Sequence, residues 1–425
     1  MLSRSERMTT VLWIAAVMLG VRLAILVLPA NEPAHGFVSH YAAARLLTEG
    51  ADVAQFYDDS WFETQVARFE PTVTDIFAAN MPTMSLLMVP LAILDYRGAR
   101  VVWTAVSLLL LIATSVWLVR SLNIREGWVP GFFCFVFLYQ PVYENLSHGQ
   151  MYVLVLVLLS LAWQGYSAVR AGLLGPTLGA LFVTKTAALM MWPLLLVQRQ
   201  WRALMLGAVT ILVVAVGSLP VMGINVWKAY LGKAAALPSN PLLAVTAYQT
   251  QLSFFRHLFV YQDPAIGEPI ANLPLLGAVF PWIGVAVLLG ISAFVAYRCG
   301  KSDLIFAAFV LISLILSPVS LDYHYVIALL PIAILLANLR QRMVSLDGLV
   351  LMAGALLIGA DLPYRASRLA DGVWALFAYP KLYGGLLLWG LALTCSLREF
   401  RSAVGQAIPE ERSAHEEHHG HSSFS

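Results

Sequence analysis

The sequence predicts an all-α integral membrane protein, a polytopic bundle of about 10–13 transmembrane helices with a long polar first loop. Of its 425 residues, 60% are hydrophobic and only 12% are charged, and the mean hydropathy is +0.76. Soluble domains contain about 25% charged residues. A soluble chain could not bury so much apolar surface, whereas a lipid bilayer accommodates it.

Apolar stretches recur along the chain, and each is read as a helix. The first follows Arg4 and Arg7, which place the N-terminus in the cytoplasm, and it is too long for the apolar core of a signal peptide. We therefore expect a retained helix. The predicted spans lie near residues 8–30, 101–119, 129–143, 150–166, 171–197, 203–222, 273–297, 304–317, 325–338, 347–363 and 382–397.

Two segments leave the topology open. Residues 81–95 could form a short span or a helix in the outer interface, and residues 171–197 could form one long helix or a tight hairpin turning near Lys185. An interfacial helix combined with a hairpin keeps most Lys and Arg residues on the cytoplasmic side, although it leaves Arg97 and Arg100 outside. This combination is favoured by a small margin.

The first loop, residues 31–80, is rich in acids and poor in cations, which favours the extracytoplasmic side. Helical spacing within 38–48 and 60–68 predicts two short helices on the membrane surface, with Trp61, Phe62 and Phe69 at headgroup depth. Residues 223–272 are expected to form a second extracytoplasmic loop. Shorter outer turns are expected at 317–324 and 361–381.

Residues 1–400 are thus predicted to form one membrane domain, and residues 401–425 a disordered cytoplasmic tail. The tail histidines could bind a metal, but nothing in a polar tail fixes their geometry. They are His415, His418, His419 and His421. The three cysteines (Cys134, Cys299 and Cys395) are expected to be small buried hydrophobes. No basic patch indicates nucleic-acid binding, and no phosphate loop or metal motif is visible.

Several polar residues are candidates for chemistry. Asp75 precedes the point where the chain re-enters the membrane, where a carboxylate is costly unless it is used or paired. Asp58, in the segment YDDS, could serve as a base or could cap a helix. His324 ends the segment SPVSLDYH and could switch protonation, orient a carboxylate or donate to phosphate.

Other candidates suit a phosphate or a polar ligand. Lys185, inside an apolar segment, is a natural phosphate partner unless it extends to the interface. Arg256 could supply a second phosphate contact. A polar turn between two apolar spans could contact a polar ligand or satisfy backbone groups. Its candidates are Asn145, His148 and Gln150.

Seven segments in this order resemble glycosyltransferase family 87, whose members have the GT-C membrane fold. The segments are FVSHYAAARLLTEG followed by FYD, NMPTMSLLMVPLAILDYRGARVVW, NLSHGQMYVLVLVLL, VTKTAALMMWP before RQWRA, and LSPVSLDYHYVIALLP. The resemblance covers about residues 35–330. It implies transfer of a hexose, expected to be mannose, from a polyprenyl-phosphate-sugar donor to a lipid or glycan acceptor.

By the resemblance, the reaction takes place on the outer face of a bacterial plasma or inner membrane and uses no metal or cofactor. A first-loop carboxylate is the base, and Gln150, Lys185 and His324 occupy family positions. The sequence departs from the pattern at Gly36, where the family usually has Asp immediately before Phe, and at Asn80-Met81-Pro82, where it has Asn-Pro-Pro.

The missing aspartate leaves several functional alternatives open. Asp75, Asp58 or Glu32 could replace it as the base, with Asp75 favoured. Alternatively, the protein could be a non-catalytic relative that binds a lipid-linked sugar. A transporter or flippase of a polar lipid is a further alternative, although no inverted repeat is visible in the sequence.

Overall fold

The computed structural model describes residues 4–30, 34–78, 80–187, 189–237, 240–261, 267–339 and 344–420, and these are helical with no strand. In chain order the α-helices are α1 (Arg4–Val27), α2 (Phe37–Thr48), α3 (Asp59–Val66), α4 (Thr83–Met88), α5 (Tyr96–Ser121), α6 (Val129–Leu138), α7 (Gln140–Ser147), α8 (Tyr152–Ser167), α9 (Ala171–Thr184), α10 (Met191–Val197), α11 (Trp201–Ala236), α12 (Gln251–Phe259), α13 (Pro274–Cys299), α14 (Asp303–Ile315), α15 (Leu329–Asn338), α16 (Leu346–Gly359) and α17 (Pro380–Gly420).

Helix length and composition confirm the predicted polytopic membrane class. Within the described ranges, four helices are long and apolar enough to cross a bilayer: α1, α5, α11 and α13. Shorter apolar helices, among them α8, α9, α14 and α16, fill the bundle between them. A span perpendicular to the membrane needs about 20 residues, so these shorter helices depend on packing against their neighbours.

Neither open segment forms a single long span. Residues 81–95 hold only the six-residue α4 and a single 3-10 turn, Val89–Leu91, which are too short to cross a bilayer. The chain breaks after α9 at Lys185 and returns through α10. The Tyr166 hydroxyl, beside the start of α9, donates to Gln198 at the end of α10 over 2.9 Å. The segment is therefore a hairpin.

Two predicted boundaries are wrong. Residues 129–143 do not form one helix, because the chain is extended at Tyr139 (φ −68°, ψ 109°) and α7 starts at Gln140 with Pro141 in its first turn. Proline has no N–H to donate and fits the first turn of a helix, which favours a new helix start here. The predicted second loop, 223–272, begins with helix: α11 bends at Gly223 (φ 69°, ψ 172°) and continues to Ala236.

The first loop forms a compact cap rather than two helices lying on the membrane surface. Helices α2 and α3 exist as predicted, but nine of the twelve residues of α2 are buried. Phe62, expected at headgroup depth, is fully buried against Phe56 and Phe77. The Tyr57 ring packs 5.9 Å from the Tyr230 ring of α11. These contacts fix the loop against the bundle and so fix the polar groups that it carries.

The last helix, α17, continues to Gly420, through most of the segment expected to be a disordered tail. The backbone of residues 401–420 is helical, which agrees with its content of Ala, Glu and Arg, all good helix formers. His421 lies outside the described residues.

Candidate active site

A cavity of about 550 Å³ lies between the first-loop cap and the helix bundle. Its polar lining comes from segments that are far apart in the sequence. They include α2, the turn before α8, the hairpin turn after α9 and the turn before α15. The polar residues are Ser39, His40, Asp59, Asp75, Asn80, Gln150, Lys185, Lys233, Asn240, Tyr248, Tyr323 and His324.

Asp75 is held in this cavity by backbone amides. The Gly36 N–H donates to its Oδ2 over 2.5 Å, and the Ile76 N–H donates to its Oδ1 over 2.9 Å. Burial raises the pKa of the Asp75 carboxyl above its usual value, outweighing these hydrogen bonds, which lower it. A carboxylate with a raised pKa is a stronger proton acceptor than an exposed one.

Gly36 has a backbone that only glycine adopts easily, with φ at +95°. A Cβ atom built there would lie 1.8 Å from Nε2 of Gln150 and 2.6 Å from its Cδ. The Gln150 amide thus fills the space of a side chain at residue 36, while the Gly36 N–H holds Asp75. Residue 36, where the family usually has Asp, cannot accept a side chain here without displacing Gln150.

Lys185 occupies the hairpin turn directly after α9. Its Nζ donates to Oδ1 of Asn80 over 2.5 Å and lies 5.7 Å from the centre of the Tyr152 ring. The Tyr57 hydroxyl donates to the Asn80 carbonyl over 2.8 Å, which holds Asn80 in the cap. The Lys185 charge interacts with Asp75 across the cavity. One wall of the site is therefore cationic and faces a carboxylate.

His324 lies on the 3-10 segment Asp322–Ala328, with its ring between two tyrosines. The ring centre is 4.2 Å from that of Tyr152 and 4.6 Å from that of Tyr323. The Leu321 N–H donates to Nδ1 over 3.0 Å, so in the neutral ring the proton is on Nε2. His324 can therefore present a hydrogen-bond donor to a ligand.

The neighbouring Asp322 anchors this segment instead of lining the cavity. Its carboxylate receives the Tyr364 hydroxyl over 2.5 Å and the Arg365 guanidinium over 2.8 Å. The Lys381 ammonium lies 3.1 Å from its second oxygen. Lys381 is 1% exposed, so this is a buried ion pair. The network fixes the backbone that carries His324.

The other predicted site residues lie outside the cavity lining. The Asp58 Oδ1 accepts the Trp61 N–H over 3.1 Å, so this exposed carboxylate caps α3. Asn145 is buried and its Oδ1 accepts the Tyr152 N–H over 2.9 Å. His148 lies 3.3 Å from the Glu144 carboxylate, and Arg256 donates to the Asn240 carbonyl over 3.2 Å. These contacts satisfy local backbone and side-chain groups. Glu32 lies outside the described residues.

Sequence reasoning missed several residues of the lining, among them His40, Asp59 and Lys233. His40 is 1% exposed, and burial, then the charge of Lys185, lowers the pKa of its ring, so it is neutral near pH 7. It lies one helical turn after Gly36 on α2, a spacing that indicates a shared face. Asp59 and Lys233 form an ion pair of 2.7 Å at the edge of the cavity. Lys233 was missed because α11 was expected to end earlier.

The arrangement combines a proton acceptor, a cation and an imidazole donor around one void. Among the described residues, no group of three or more His, Cys, Asp or Glu side chains could hold a metal ion. The apolar part of the lining includes Leu237, Leu243 and Val319. Such a site can bind a molecule that has a polar reacting end and an apolar tail.

Comparison with known families gives a match that covers the central part of the chain. The model of glycosyltransferase family 87 matches residues 79–321. The match includes Asn80, Gln150 and Lys185, begins just after Asp75 and ends just before His324. A comparison with curated proteins finds no match. Because the matched region exceeds half of the 425 residues, this membrane-embedded chain belongs to glycosyltransferase family 87 and is a glycosyltransferase.

Proposed function

We propose that the protein transfers a hexose, mannose by the family resemblance, from a polyprenyl-phosphate-sugar donor to a hydroxyl of a lipid or glycan acceptor. The observation that carries this proposal is the convergence of Asp75, Lys185 and His324 on one cavity. A base, a phosphate-binding cation and a hydrogen-bond donor are the groups that such a displacement needs.

In the proposed reaction, Asp75 accepts the proton of the acceptor hydroxyl as that oxygen attacks the anomeric carbon. The new C–O bond forms while the bond from the anomeric carbon to the phosphate oxygen breaks, and the electron pair leaves with the polyprenyl phosphate. A single displacement of this kind inverts the anomeric centre. General-base assistance contributes roughly 10²–10⁴-fold to the rate.

Lys185 is proposed to stabilise the charge that grows on the departing phosphate, with His324 donating through Nε2 to the same group. Asn80 holds the ammonium in place through its 2.5 Å contact. In this proposal the Lys185 ammonium and the His324 N–H supply the stabilisation that a metal supplies elsewhere. The first isoprene units of the donor would lie against Leu237, Leu243 and Val319, the apolar side of the cavity.

We infer that the site faces the extracytoplasmic side of a bacterial cell membrane. The support is the charge distribution, since the first-loop cap that covers the cavity is rich in acids, whereas Lys and Arg residues cluster in the segments at the opposite end. A membrane-borne donor is available on that side without a nucleotide-sugar domain.

The Gly36 departure favours one rival, a non-catalytic relative that binds a lipid-linked sugar. Transfer assays distinguish the proposed transferase from a non-catalytic relative. Vesicles that contain the protein are given radiolabelled polyprenyl-phosphate-mannose and candidate acceptors, and labelled product is counted. Asp75→Asn is compared with Glu63→Gln, which removes a carboxylate on α3 that lines neither the cavity nor its margin.

We expect Asp75→Asn to lose roughly 10²–10⁴-fold in transfer while donor binding persists, and Glu63→Gln to behave as the parent protein. Full activity in Asp75→Asn would reject Asp75 as the base. Donor binding by the parent protein with no turnover on any acceptor would favour the non-catalytic reading.

A further inference from the structure

A second void of about 670 Å³ opens on the surface next to the cavity, between the start of α3 and the part of α11 that follows the bend at Gly223. Its lining includes the polar residues Tyr57, Asp58, Ser60 and Lys228. We call this void the surface groove. It shares two lining residues, Asp59 and Lys233, with the cavity that contains Asp75.

The shared residues form an ion pair that separates the two voids. Nζ of Lys233 lies 2.7 Å from Oδ2 of Asp59, and the two side chains are 37% and 40% exposed. Ion pairs with this much exposure contribute little to stability, so a competing ligand can separate them easily. The Asp59 Oδ1 atom is shielded from solvent and has no hydrogen-bond partner among the described residues. Because this oxygen is shielded in the paired state, it can bind a ligand only when the Asp59 side chain changes position.

The charges of the surface groove favour a neutral hydroxylated ligand over a phosphate. Asp58 and Asp59 balance Lys228 and Lys233, so an anion gains no net attraction. Sugar hydroxyls can donate to carboxylates and accept from ammonium groups. The small residues Ala54, Ala229 and Gly232 let a sugar ring approach the backbone closely.

We propose that the surface groove is the acceptor subsite and binds a sugar ring, with Asp59 and Lys233 hydrogen-bonding its hydroxyls. The reacting hydroxyl passes the ion pair to reach Asp75. This inference rests on the proposed function, because it names the acceptor class for the same reaction: a glycan or a glycan-bearing lipid head.

The test uses full-length protein in lipid nanodiscs. The variants are Asp59→Asn and Lys233→Gln, and Glu49→Gln is the matched control. Glu49 pairs with Arg68 over 3.0 Å on the surface of the same cap, and neither residue lines either void. Kinetics give KM for acceptor and donor separately. Binding of fluorescent mannobiose, free or carrying an octyl chain, is measured without donor.

We expect Asp59→Asn and Lys233→Gln to raise the acceptor KM and the mannobiose Kd about tenfold, the effect of losing a charged hydrogen bond. The donor KM stays unchanged, and Glu49→Gln matches the parent protein. Equal effects on free and octyl mannobiose support recognition of the ring. Unchanged mannobiose binding in Asp59→Asn, or binding only through the octyl chain, would overturn the subsite.

The two proposals can fail separately. If the parent protein shows no transfer at all, the proposed function fails, and mannobiose binding alone decides the subsite. If the parent protein transfers sugar but Asp59→Asn leaves the acceptor KM and mannobiose Kd unchanged, only the subsite fails.

Discussion

Restoring the aspartate that the family usually carries at position 36 should impair this protein rather than improve it. In Gly36→Asp, a residue other than glycine is forced to φ near +95°, which costs about 1–3 kcal/mol. Its Cβ would lie 1.8 Å from Nε2 of Gln150, so the glutamine side chain must leave its place. Crowding of this kind adds about 1–3 kcal/mol. The expected loss of unfolding free energy is therefore about 2–6 kcal/mol.

The effect on activity follows from the hydrogen bond that residue 36 makes. Its N–H donates to the Asp75 carboxylate over 2.5 Å, so any shift of this backbone moves the proposed base. A displacement of about 1 Å can cost about 100-fold in rate. We expect Gly36→Asp and Gly36→Ala to lose at least about 100-fold in transfer per folded molecule.

The assay compares transfer in vesicles with thermal unfolding of the solubilised protein. Gly50→Ala is the matched control, because Gly50 has φ at +78° but no atom within 4 Å of a built Cβ, and it does not line the cavity. It should lose stability through strain alone and keep its activity. The reasoning would be refuted if Gly36→Asp were fully active, or if Gly36→Asp with Asp75→Asn retained transfer.

Three further outcomes are expected. Because burial raises the pKa of the Asp75 carboxyl, kcat/KM should fall on acidification at a higher pH than it would for an exposed carboxyl. The pH–rate profile of Asp75→Asn should lack this fall. Folding disfavours the ionised form of Asp75, so Asp75→Asn should keep its stability at pH 7. Lys185→Met should lower kcat about 100-fold, whereas Asn80→Ala, which only frees the ammonium, should lower it about tenfold, as single-turnover assays would measure. Lys381→Met should cost about 1–3 kcal/mol in thermal unfolding, because the second oxygen of buried Asp322 loses its cation while Arg365 and Tyr364 still hold the first, and equal stability would contradict this.

The membrane fold was predictable because apolar length is a local property of the sequence. The positions of α1, α5 and α13 follow directly from apolar runs of sufficient length. The break at Tyr139 and the continuation of α11 past Gly223 were not predicted, because composition does not reveal backbone direction. A glycine at the bend looked like the start of a loop.

The site was predictable only in part. Asp75, Lys185 and His324 stood out because a charged or titratable group beside apolar sequence is costly without a use. Polar turns also drew attention to Asp58 and Asn145, whose side chains accept hydrogen bonds from backbone N–H groups instead. Capping and catalysis use the same residue types, so only the three-dimensional placement separates them.

Gly36, Gln150 and Asp75 are best understood as one unit. A glycine leaves room for the Gln150 amide, and its N–H orients a carboxylate that lies 39 residues later in the chain. Glycine at residue 36 therefore leaves space for Gln150 and permits the backbone conformation in which its N–H meets Asp75. Inspection of position 36 alone reveals only the missing Asp, because the proposed replacement, Asp75, comes from another part of the loop. The geometry thus supports an altered position of the base rather than its absence.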